Sequence, residues 1–72
     1  MPPSIPPVSG AEAVRRLQRL GFVVARQRGS HVVMKREGAG CVVPLHGELK
    51  AGTLAGVLRQ AGISADEFLK AL

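Results

Sequence analysis

Apolar and polar positions change period twice along this chain. Ala13, Val14, Leu17 and Leu20 recur at helical spacing, with Arg15, Arg16, Gln18 and Arg19 on the other side. Ser9 and Glu12 stand at the spacing of a capping box before that run, and Gly21 suits a left-handed stop after it. A first helix is therefore predicted over Gly10–Leu20. From Phe22 the period shortens to two. Phe22–Gln27, His31–Arg36 and Cys41–Leu45 read as strands separated by turns at Arg28-Gly29-Ser30 and Glu37–Gly40. The loop 46–50 follows. Leu54, Val57 and Leu58 then restore helical spacing over Thr53–Ala61, ending at Gly62. Ser64 and Glu67 form a second capping-box spacing that opens a short last helix carrying Phe68, Leu69 and Leu72.

The predicted fold is α+β, in the order α-β-β-β-α-α, with an antiparallel meander whose one face is covered by helices. A three-residue first loop pairs Gln27 with His31, Ala25 with Val33 and Val23 with Lys35. A symmetric second loop pairs Lys35 with Val42 and Val33 with Pro44, and by extrapolation sets His31 against His46. The inner face is then Phe22, Val24, Val32, Met34, Cys41, Val43 and Leu45. The outer face holds Gln27, His31 and Lys35 among Val23, Ala25, Val33 and Val42. A two-residue first loop would reverse this parity.

Length limits what such a fold achieves. At 72 residues the chain is a single small domain, expected over residues 9–72 behind a tail at residues 1–8 that contains four of the five prolines. A domain of this size buries only about 60% of its unfolded surface. One cysteine, Cys41, excludes an internal disulfide and a Cys-based zinc site, which favours a cytoplasmic location. No apolar run approaches the ~20 residues of a membrane span, and the uncharged start does not resemble a secretory leader.

Charge adds a direction. Between Val14 and Arg36 lie seven cations (Arg15, Arg16, Arg19, Arg26, Arg28, Lys35 and Arg36) and no Asp or Glu, within a chain of net charge +5. Such polarisation suits a polyanion or an acidic protein partner. Tyr and Trp are absent and both Phe fall at apolar core positions. Base-stacking recognition of RNA is therefore disfavoured, leaving recognition through backbone charge and duplex-like shape.

The chemistry points to His31, which follows the Gly29-Ser30 turn. Imidazole titrates near neutral pH and is able to accept a proton from a ribose 2′-hydroxyl. Arg26, Arg28 and Lys35 are the candidate phosphate cradle, and His46 is a candidate assistant. Paired carboxylates and a metal-ligand cluster are absent from the pattern, so neither metal nor cofactor is expected. Cys41, on the inner face, reads as core. An exposed apolar outer face also fits a protein interface.

Five segments in order resemble a known family: Leu20-Gly21-Phe22, Arg28-Gly29-Ser30-His31, Val43-Pro44-Leu45-His46, Leu49-Lys50-Ala51-Gly52-Thr53-Leu54 and Gln60-Ala61-Gly62-Ile63. Together they look like the HicA toxins of toxin–antitoxin systems. The resemblance implies a double-stranded-RNA-binding-domain-like α-β-β-β-α fold, here with an extra C-terminal helix, and an endoribonuclease that cleaves mRNA and arrests growth. It implies His31 as the catalytic residue, Gly29 and Ser30 as the turn that positions it, and a HicB-type antitoxin as partner. Lys50 matches a commonly basic position and is on that ground a candidate RNA contact. A non-catalytic RNA-binding module and an antitoxin-docking protein are the alternatives, and association of copies is left open.

Overall fold

The computed structural model describes residues 7–71. The prolines among residues 1–6 and the apolar Leu72 lie outside them. The order is α1 (Gly10–Arg19), β1 (Val23–Arg28), β2 (His31–Arg36), β3 (Ala39–Pro44), α2 (Ala51–Ala61) and α3 (Ala65–Lys70). The sheet is antiparallel in the order β1-β2-β3. The predicted α-β-β-β-α architecture with its short extra helix is what the chain adopts.

Local chemistry sets the ends. Ser9 Oγ accepts from the Glu12 N–H at 3.0 Å, while the Glu12 carboxylate turns to Arg15 at 3.5 Å, so only half of the first capping box forms. The second is complete: Ser64 and Glu67 cap each other's backbone N–H. Gly21, just past α1, has φ 96°, and Gly62, just past α2, has φ 72°, where an L side chain is disfavoured.

One core unites the elements. Ala13 and Leu17 of α1, Val32, Met34, Cys41 and Val43 of the sheet, Leu54, Val57 and Leu58 of α2, and Phe68 of α3 are buried together. Phe22, Leu49 and Ile63 enter it from the connectors. Val8 joins too, and its carbonyl accepts from the Leu49 N–H at 2.8 Å. The Pro-rich segment thus contributes its last residue to the core. Of the predicted inner face, Val24 is 44% exposed and Leu45 half-buried; the other five positions are buried.

The register differs from the expectation in two instructive ways. The first loop is Gly29-Ser30 alone, so Arg28 pairs with His31, Gln27 with Val32 and Arg26 with Val33. A bulge between Val24 and Arg26, with Ala25 as the extra residue, then returns Val23 to Lys35 and Val24 to Met34. The second loop is Glu37-Gly38, so Lys35 pairs with Gly40, Val33 with Val42 and His31 with Pro44. A shift of two residues keeps side-chain parity, which is why the inner face of β2 and β3 survives the wrong loop length. It does not keep His46 opposite His31.

Two arginines of the basic block serve the fold. Arg16 Nη1 donates to the Phe68 and Leu69 carbonyls, both at 3.3 Å, with its guanidinium 5.3 Å from the Phe68 ring centre. Arg36 Nη1 donates to the Leu20 carbonyl at 2.7 Å and stacks 4.7 Å from the Phe22 ring centre. Each cation meets carbonyls at a helix C-terminus, where the helix dipole favours positive charge.

Candidate active site on the outer sheet face

Cross-strand partners project to the same side of a sheet. With Val32, Met34, Cys41 and Val43 buried, their neighbours form the opposite face, and the ladders arrange it as three rows. Arg28, His31 and Pro44 form the first; Arg26, Val33 and Val42 the second; Val23, Lys35 and Gly40 the third. No helix among the described residues covers this face. His31, Arg26, Arg28 and Lys35 are exposed.

The short hairpin and the bulge jointly build this arrangement. Gly29 has φ 56° and Ser30 does not share a positive φ, the pattern of a tight two-residue hairpin loop with Gly in its first place. Gln27 lies on the helix side of the sheet, not the outer side as expected, and its Nε2 donates to the Gly29 carbonyl at 3.1 Å. Removing Arg28 from the loop places it in the ladder, directly across from His31. On the other flank stands Pro44. Proline has no N–H, and the next residue, Leu45, donates its own to the Ser30 carbonyl at 2.6 Å. The turn that carries His31 is thus tied to both neighbouring strands.

Spacing separates the cations by role. Cross-strand partners lie about 5 Å apart at Cα, so Arg28 is the cation beside His31. Arg26 is one row further, about 7 Å along the strand. Lys35 is two rows away, on the order of 13 Å along β2, with Val33 between them. Arg28 and Arg26 therefore lie together on the β1 side of His31, and Lys35 serves a more distant point on the same face. No acid pairs with any of the three among the described residues. Lys50 is exposed at the N-cap of α2 and belongs to none of the three rows.

His46 does not face His31, because Pro44 takes that place. It lies two residues past the ladder, exposed, with its carbonyl accepting from the Gly10 N–H at 2.9 Å. That bond holds the start of α1 against the end of β3. A Cβ on Gly10 would overlap the Pro44 carbonyl and Leu45 backbone, so the close approach requires glycine. Cys41 is buried and its thiol is pushed up from its ordinary value by loss of solvation, as befits a core residue. No cluster of three or more His, Cys, Asp or Glu side chains able to hold a metal occurs among the described residues.

Sequence reasoning did not separate the structural arginines from the free ones, although signals were present. Arg36 shares its parity with Val32 and Met34, which directs it beneath the sheet. Arg16 falls three residues after Ala13 and four before Leu20, at the margin of the buried stripe. Once Arg16 and Arg36 are assigned to helix ends and Arg15 to Glu12, the basic surface contracts toward the face that carries His31.

A family model described as the HicA toxin of bacterial toxin–antitoxin matches residues 10–63 of the 72, from the first residue of α1 to the one after the Gly62 cap. No curated protein matches the chain. No helix among the described residues is long and apolar enough to cross a membrane. The matched span holds every element except α3, together with the outer face and its histidine. The chain belongs to the HicA toxin family of bacterial toxin–antitoxin systems.

Proposed function

We propose that this chain is the toxin of a type II toxin–antitoxin system and acts as an endoribonuclease on mRNA in the cytoplasm, with His31 as its catalytic residue. The observation that carries the reading is the first row of the outer face: an exposed imidazole with Arg28 directly across from it on an open sheet. In the proposed reaction the His31 imidazole takes the proton of a ribose 2′-hydroxyl. That oxygen attacks the adjacent phosphorus, the bond to the departing 5′-oxygen breaks, and the leaving oxygen takes its proton from solvent. The products carry a 2′,3′-cyclic phosphate and a 5′-hydroxyl. Arg28 offsets the charge that builds on the phosphoryl oxygens, and Arg26 holds the neighbouring phosphate. The nucleophile belongs to the RNA, so the chain need supply only a base, cations and alignment. Cleavage in the presence of EDTA is expected, and growth arrest follows from loss of message.

A HicB-type antitoxin is the expected partner. Val23 and Val42, 62% and 41% exposed on the same face as His31, give it apolar surface to cover together with the histidine. The test is His31→Ala. This variant is expected to fold, to bind the antitoxin and to cleave no RNA. Undiminished cleavage by the purified variant would overturn the assignment.

A further inference from the structure

The outer face is divided lengthwise. Its β1 side carries Arg28 and Arg26, with Val23 beyond them, whereas β3 has no charged residue and presents Pro44, Val42 and Gly40. His31 and Val33 lie on the seam between the halves, with Lys35 at its far end. Beyond β3 the edge is occupied by Gln60, whose Oε1 accepts from the Val42 N–H at 3.3 Å. The guanidinium of the adjacent Arg59 lies back along α2 toward Gly56. Cationic and apolar halves of one open face match the two sides of a nucleic acid strand: charged backbone on one, ribose and base on the other.

We infer that RNA crosses this face as a single strand, with its phosphates along Arg28 and Arg26 and its ribose and base edges against Pro44, Val33 and Val42. The inference rests on the ribonuclease reading above and names the form of substrate that site takes. A duplex presents two phosphate backbones with the bases stacked between them. Seating it here would need cations on both flanks, and β3 supplies none. It would also leave Val42 against phosphate or groove water. A single strand satisfies both halves at once, and it turns the 2′-hydroxyl side of the ribose toward the seam where His31 stands. On this reading the face takes RNA by apolar contact with valine and proline beside the cations, in place of duplex-shape recognition.

The test measures binding on the His31→Ala background, so that cleavage does not interfere. A labelled 12-nucleotide RNA of mixed sequence is compared with the same RNA annealed to its complement. The single strand is expected to bind at least about tenfold more tightly. The two cations along the phosphates, Arg28 and Arg26, set a slope of log affinity against log salt of about −1.4 for single strands. Arg26→Ala should flatten that slope by roughly 0.7, the contribution of one phosphate. Val42→Ser should weaken binding about three- to tenfold with the slope unchanged. Equal or tighter binding of the duplex overturns the inference. So does Val42→Ser with unaltered RNA affinity, which would assign the apolar half to a protein partner alone. Failure of His31→Ala to bind either RNA, while correctly folded by circular dichroism, would instead remove the ribonuclease reading on which the inference rests.

Discussion

Arg28 stands directly across the β1–β2 hairpin from His31, because the loop between them is two residues long. This pairing sets a hierarchy among the cations. Arg28→Ala should lower kcat/KM for RNA on the order of 10²-fold, the usual cost of losing a charge-stabilising donor beside the reacting group. Lys35→Ala, with Val33 and Arg26 between it and the reaction, should lower it less than about tenfold, mainly through KM. Steady-state kinetics on one RNA decides the order. A Lys35 effect larger than that of Arg28 would contradict the row arrangement.

The bulge at Ala25 restores register beyond the hairpin. Deleting Ala25 would leave Arg26–Val33 and Val24–Met34 as consecutive pairs of an unbroken ladder, with less local twist. The deletion variant should fold and keep Arg26 and Arg28 on the face of His31. Cross-strand nuclear Overhauser contacts between residues 28 and 31, and between 24 and 34, check this. A register slip that pairs Gln27 with His31 would show that the bulge, not the turn, holds the hairpin.

Arg16 links α3 to α1 through two carbonyl bonds and the Phe68 ring. Arg16→Ala is expected to cost about 1–2 kcal/mol. For a domain of this length that lowers Tm by roughly 4–15 °C. Amide exchange should quicken first in α3. Phe68→Ala, which empties a fully buried ring position, should cost about 3–5 kcal/mol and leave little folded protein.

Cys41 gives a pH signature. Its thiol is raised by burial, so the folded chain holds a proton that the unfolded chain loses once pH passes the ordinary thiol value of 9.0. The native state then binds more protons than the unfolded one, and stability falls with rising pH. The contribution is complete below that pH and is lost as pH climbs toward the raised native value. Denaturant midpoints between pH 7 and 10 should show the decline, and Cys41→Ala, though less stable overall, should show less of it. Native Cys41 should also react with thiol reagents far more slowly than the unfolded chain.

Helix α1 reaches the site end of the molecule only because residue 10 lacks a Cβ. Gly10→Ala would push the first turn off the Pro44–Leu45 backbone, costing about 1–3 kcal/mol. The accompanying loss of the bond from the residue-10 N–H to the His46 carbonyl should loosen residues 44–46 beside His31, seen as faster exchange at the backbone amides of position 10 and Leu45.

Much of this was legible in the sequence because it depends on period. Ser9, Gly21, Gly62 and Ser64 mark helix ends by chemistry that acts within a few residues, and alternation in His31–Arg36 and Cys41–Val43 fixes which side chains face the helices. Family resemblance then pointed to His31. Register was not legible. Turn length depends on whether Arg28 enters the ladder or the loop, and the composition of Arg28-Gly29-Ser30 fits both. A bulge leaves no mark when the extra residue is an ordinary alanine. Those two errors hid the Arg28–His31 pair, and the second turn, two residues long instead of four, put Pro44 where His46 was expected. Parity and stripe position hint that Arg36 and Arg16 turn inward, but the carbonyls they meet, 16 and 52 residues away, are set by tertiary structure.

The central claim is that His31 activates the RNA's own 2′-hydroxyl, and end-group analysis of the cleavage products in EDTA tests it most directly. The account predicts a 2′,3′-cyclic phosphate on one fragment, a 5′-hydroxyl on the other, and neither with His31→Ala. Fragments ending in 3′-hydroxyl and 5′-phosphate, or unchanged products from the variant, would contradict it.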